Sequence, residues 1–151
     1  LEKMVERARE ISQEIVHKYI KPMNFADQVL DKIKRSGNIN VVISNTRQDR
    51  IEHFVKIVGL EKFIDQVVGI DGHTKFTFST PKEKADAIIK LSRGKNYLKK
   101  IVIGDSESDI QAGKITGAKT YMLITDMNRG NANATKADRT IFDLREIISE
   151  I

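Results

Sequence analysis

Ile101-Val102-Ile103-Gly104-Asp105-Ser106-Glu107-Ser108-Asp109 is the stretch on which the architecture turns. Three β-branched residues in a row, bounded by glycine and then by polar residues, are the mark of a strand buried on both faces. The residues from about Glu107 to Thr116 then read as a helix. Val41-Val42-Ile43-Ser44-Asn45-Thr46 has the same form: a short apolar run that ends abruptly in small polar residues. Outward from these two strands the chain alternates. A helix over Arg47–Val58, closed by Gly59, is followed by a strand over Gln66–Ile70 and a loop from Asp71 to Ser79. Thr80-Pro81-Lys82-Glu83 has the spacing of a capping box with proline in the first turn, opening a helix that runs to about Ser92.

Toward the C-terminus the pattern predicts a strand over Thr120–Ile124, an Asn-rich loop to Ala137, a short strand over Arg139–Phe142 and a final helix over Asp143–Glu150. Toward the N-terminus, Met4, Val5, Ala8, Ile11, Ile15, Val16 and Tyr19 recur at three- and four-residue spacing, an amphipathic helix that stops before Lys21-Pro22. A second helix is expected from Asn24, as its cap, to Gly37. Strands alternating with helices imply right-handed crossovers and a mainly parallel sheet covered on both faces, a three-layer α/β fold.

Composition narrows the function. The 151 residues carry a formal charge of +5, but the 26 lysines and arginines are dispersed among 21 acidic residues, and there is no tryptophan. Nucleic-acid binding would want a basic cluster interleaved with aromatics, so it is not expected. No apolar run approaches the roughly 20 residues that span a bilayer. With no cysteine, thiolate metal sites are excluded, and a cytoplasmic setting is expected.

In an open parallel sheet, ligands bind beyond the carboxyl ends of the strands. Those ends offer Ser44-Asn45-Thr46 after one strand and Asp105 with Asp109 after another, with Lys82 and Lys84 at the start of a nearby helix. A hydroxyl and backbone amides grip phosphate oxygens. A carboxylate at a strand mouth suits a hard cation such as magnesium, and a lysine neutralises phosphoryl charge. Each has a plainer explanation: Ser44 as a turn cap, Asp109 as a first-turn acid favouring the helix dipole, either lysine as a surface residue. His17, His53 and His73 lack metal-ligand spacing.

The strand ending in Ser44-Asn45, the lysine at 82 or 84, and Gly104-Asp105-Ser106-x-x-Asp109 resemble, in order and spacing, motifs two, three and four of the haloacid dehalogenase superfamily. The stretches Ile110–Ala118 and Ala137–Leu144 resemble its later helix and closing strand, so the likeness covers about residues 23–151. It implies a phosphatase-type hydrolase resembling phosphoglycolate and phosphoserine phosphatases, acting on a small phosphate ester with Mg2+. Ser44 and Asn45 would hold the phosphoryl group, Lys84 or Lys82 would stabilise its charge, and Asp105 with Asp109 would serve the metal.

The same resemblance exposes a departure. Relatives begin with a central strand ending in Asp-x-Asp, whose first aspartate attacks phosphorus through an aspartyl-phosphate. No Asp-x-Asp occurs in these residues. The nearest mimic, Val67 to Thr74, offers His73 in place of the second aspartate. Residues 1–22 are therefore expected to be the end of a helical cap, and 23–151 a core lacking its first central strand, inactive alone. The flanking strands, ending at Ser44 and Asp105, are then expected to pair directly, to be filled by another segment, or to be covered in a dimer. Two competing classes are a non-catalytic relative that binds phosphate, metal or a partner, and a phosphorelay receiver, which Ser44-Asn45 disfavours because a receiver carries an acidic pair after its first strand.

Overall fold

The computed structural model describes residues 2–70 and 80–151. Helix α1 (Glu2–Tyr19) leads into α2 (Ala26–Arg35), β1 (Val41–Arg47), α3 (Gln48–Ile57) and β2 (Gln66–Ile70). Then come α4 (Pro81–Ser92), β3 (Ile101–Gly104), α5 (Glu107–Ile115), β4 (Lys119–Leu123) and β5 (Arg139–Ile141). Short 3-10 turns cover Glu61–Phe63 and Arg129–Asn131. The final helix expected at the C-terminus is a 3-10 helix, Leu144–Glu150, with Asp143 capping it.

The expected alternation is present, and every strand pairing is parallel. Strand β4 organises the core. Its side chains alternate at the period of two that a strand imposes. Tyr121 and Leu123 pack with Val29, Ile141 and Ile147 on one face, while Met122 packs with Ile110 and Ile124 on the other. Thus α2 and the C-terminal 3-10 helix cover one side of the β3–β4–β5 sheet, and α5 covers the other. Helix α4 packs on α5, and α3 lies on β1 and β2.

One expectation fails at the start of α2. Asn24 does not cap α2; Phe25 occupies the cap position with φ 64° and no side-chain cap bond. A left-handed phenylalanine is costly. Its ring lies 3.6 Å beneath the Arg145 guanidinium, a cation–π contact that offsets part of that cost. Of the three arrangements expected for the strands ending at Ser44 and Asp105, direct pairing is not seen: β1 and β3 do not bond to each other. The sheet falls into two parallel parts, β1–β2 and β3–β4–β5, and among the described residues no strand lies between them. Val41 to Ile43 and Ile101 to Ile103 instead wall a cleft of about 520 Å³, floored by side chains such as Val29 and Ile147.

Candidate active site

The carboxyl ends of β1 and β3 stand at the two walls of this cleft. At the β3 end, Ser106 caps α5: its Oγ accepts from the Asp109 amide at 3.4 Å, while Asp109 Oδ2 accepts from Ser106 Oγ at 2.6 Å and from its amide at 3.3 Å. This reciprocal box folds the Asp109 carboxylate back over Gly104. A Cβ added at Gly104 would lie 2.2 Å from Asp109 Cβ, so glycine is required by the close approach. The Lys84 Nζ donates to the other oxygen of Asp109 at 2.5 Å; the two side chains are 11% and 18% exposed. A pair this sheltered is not the solvated surface contact that contributes little.

Lys82 goes elsewhere. It pairs with Asp86 at 2.8 Å and is 78% exposed, as a surface lysine one turn from its partner would be. Two residues apart on a helix means about 200° of rotation, so only one of the two lysines can face the sheet. Lys84 and Asp109 both line the cleft; Lys82 does not.

At the β1 end, register slips. Ile43 pairs with Val68 and Arg47 with Ile70, so Ser44, Asn45 and Thr46 bulge opposite the single residue Gly69. The bulge lies so close that a Cβ on Gly69 would sit 2.7 Å from Thr46 O and from Gln48 N. Ser44 Oγ accepts from the Thr46 amide at 3.1 Å, which turns the backbone at the strand mouth, and Asn45 is exposed there. The plainer role of Ser44, capping its own turn, is therefore present in the geometry. It leaves the hydroxyl proton available to a ligand.

Two residues were missed by sequence. Gln48 clamps the bulge: its Oε1 accepts from Gly69 N at 2.6 Å and its Nε2 donates to Val67 O at 3.0 Å. Asn128, in a stretch read only as a loop, ties the mouths of β3 and β4 together. Its Nδ2 donates to Asp105 O at 2.8 Å and Leu123 O at 2.9 Å, and its Oδ1 accepts from Thr125 N at 2.7 Å. No sequence signal singles it out, since it lies five residues beyond the end of β4 rather than directly at a strand end as Ser44 and Asp105 do. The rest of that loop is anchored at Glu107, whose carboxylate accepts from Thr135 Oγ1 and Lys136 N. The His73 mimic lies outside the described residues.

Asp105 is exposed, and its carboxylate makes no hydrogen bond or ion pair with the described residues; only its carbonyl is engaged. Among the described residues no three carboxylates or histidines gather into a metal cage. Magnesium does not require one, since it takes one or two carboxylates and completes its shell with water and phosphate. Asp105 fits as such a ligand. Asp109, already held by Lys84 and Ser106, fits as the residue that fixes the lysine and the loop.

Comparison with known proteins shows what the chain and its fold are similar to. Residues 1–123 match the model of the haloacid dehalogenase-like hydrolases. A phosphoglycolate phosphatase of Aquifex aeolicus is 29% identical over 108 residues, covering 70% of this chain and 48% of the relative. A pyrophosphatase, PpaX, of Bacillus velezensis is 30% identical over 95 residues, covering 62% and 42%. The chain spans about half the length of the curated relatives it matches. Two solved structures share the fold. A provisionally assigned beta-phosphoglucomutase of Thermotoga maritima has a TM-score of 0.77 at 20% identity, over 99% of this chain and 68% of its own. A subfamily IA hydrolase of Geobacter sulfurreducens has a TM-score of 0.62 at 16% identity, over 85% and 60%.

Proposed function

Because the chain belongs to the haloacid dehalogenase-like hydrolase family, we propose that it supplies the phosphate- and magnesium-binding part of a cytoplasmic phosphohydrolase acting on a small phosphate ester. The observation that carries this reading is the sheltered Lys84–Asp109 pair on the wall of the cleft between β1 and β3. Lys84 presents a fixed ammonium to the phosphoryl group. The Ser44 hydroxyl, with Asn45 beside it, donates to phosphate oxygens from the opposite wall. Asp105 holds Mg2+, which when bound neutralises phosphoryl charge. Asp109 keeps Lys84 aimed.

The attacking group would be the first aspartate of an Asp-x-Asp strand lying in the cleft, forming an aspartyl-phosphate that water then opens. That motif is not among these 151 residues. On this reading residues 1–22 are the end of a helical cap, residues 23–151 are the core, and a strand outside this sequence, or a second copy of the chain, covers the edges of β1 and β3. The missing motif also favours a second reading, a relative that binds phosphate and metal without turning over.

Hydrolysis assays separate the two. The 151-residue chain, and the same chain joined to its upstream coding segment, are offered p-nitrophenyl phosphate, phosphoglycolate and pyrophosphate with Mg2+. Hydrolysis only by the longer protein supports the first reading, and silence from both supports the binding module. Turnover by the 151 residues alone would overturn both.

A further inference from the structure

We infer that Asn128 is a positioning residue for Asp105, setting the aim of the carboxylate proposed above as the magnesium ligand; the inference rests on that assignment. The β3–β4 ladder ends at the pair Gly104 and Met122. One step further, where Asp105 and Leu123 would make the next rung, the two strands no longer bond to each other. The Asn128 amide stands in that place and donates one proton to each strand, to Asp105 O at 2.8 Å and to Leu123 O at 2.9 Å. Its oxygen accepts from Thr125 N at 2.7 Å and Thr125 Oγ1 at 3.3 Å. All the hydrogen-bonding capacity of the amide is thus spent on four groups in two strand mouths.

The consequence falls on Asp105. Its side chain is exposed and makes no bond with the described residues, so its own contacts do not aim it. The backbone does, and the backbone at Asp105 is held from one side by the ladder through Gly104 and from the other by Asn128. Gly104 itself is fixed by the Asp109 side chain lying across it. A carboxylate aimed only by its main chain is sensitive to any loosening of that chain. Partners that orient a metal ligand without touching the metal change affinity by about 10- to 100-fold when removed.

The test titrates Mg2+ into the full 151-residue chain and tracks the backbone amide resonances of residues 104–109. Four variants are compared with the parent: Asp105→Asn, Asn128→Asp, Asn128→Ser and Asn133→Ala. Asn128→Asp keeps the acceptor for Thr125 but sets a carboxylate against two carbonyls. Asn128→Ser removes both long donors without adding charge, and serves if the aspartate variant does not fold. Asn133 is exposed in the same loop and is the control.

The expected result is loss of binding in Asp105→Asn, about tenfold weaker binding in the Asn128 variants at 25 °C, and parent affinity in Asn133→Ala. Core resonances such as those of Met122 and Ile110 should stay in place, which a merely structural role would not predict alongside weakened binding. Parent affinity in folded Asn128 variants, with binding lost in Asp105→Asn, would overturn this inference alone. Parent affinity in Asp105→Asn would overturn the assignment of Asp105, and the inference with it.

Discussion

The two parts of the sheet are built to different standards. Around β4, Tyr121, Met122, Ile110 and Ile141 are wholly buried, and helices or turns cover both faces. Across the cleft, none of the residues of β1 is fully buried, and β3, which belongs to the well-packed part, is also only half-buried along its length. Both strands that face the cleft are under-packed, and so is β2 beside β1, where Gln66 is exposed and Val67 and Val68 are only half-buried. Incomplete packing is therefore set by what covers a strand rather than by its sequence: Val41-Val42-Ile43 and Ile101-Val102-Ile103 are as apolar as anything in β4. Ser44 and Asp105 sit at the mouths of these two strands, and Lys84 reaches the site from α4.

Core truncation gives the largest test of this contrast. Ile110→Ala should cost about 2–5 kcal/mol, and Val42→Ala, on the cleft wall, about 1 kcal/mol, both read from urea unfolding. Equal losses would break the comparison. Gly104→Ala comes next, at about 1–3 kcal/mol from overpacking, because the new methyl meets the Asp109 side chain. Its melting temperature should fall as the Lys84–Asp109 pair is displaced.

The lysines sharpen the comparison further. Lys84→Met removes a charged hydrogen bond from a sheltered partner and should cost about 1.5–3 kcal/mol. Lys82→Met removes an exposed pair and should leave stability close to the parent's. Denaturant midpoints of the two variants decide it; reversed values would put Lys82 in the site.

The smallest effect lies at the far end of the sheet. Hydrogen bonds from Lys119 and Lys99 hold the Glu150 carboxyl far below its ordinary 4.5, at about 2. A depressed carboxylate stabilises the fold above its unfolded pKa and loses that stability as pH falls through the folded value. Glu150→Gln should therefore lower stability modestly at neutral pH and flatten its fall between pH 4.5 and about 2, the variant and parent converging at the acid end, in a series of thermal melts.

Much of the fold was legible in the sequence because it depends on local pattern. The apolar triplets marked the strands, and Thr80 with Glu83 marked the capping box. Asp105 at a strand mouth pointed to the candidate site. Three things were not legible. Lys82 and Lys84 both fit a first turn, and only the packing of α4 on α5 shows which one meets Asp109. Asn128 acts through bonds to residues 5 and 23 positions away, which no local window displays. Phe25 displaces Asn24 at the α2 cap because Arg145, far along the chain, covers its ring.

The central claim is that the cleft mouth binds phosphate and magnesium through Ser44, Lys84 and Asp105. Amide and lysine-ammonium resonances of the 151-residue chain, recorded while inorganic phosphate and Mg2+ are added together, test it most directly. The account predicts shifts that converge on residues 44–46, Lys84 and residues 104–109, with Lys82 unmoved. Shifts scattered over surface lysines, or none at saturating concentrations, would contradict it.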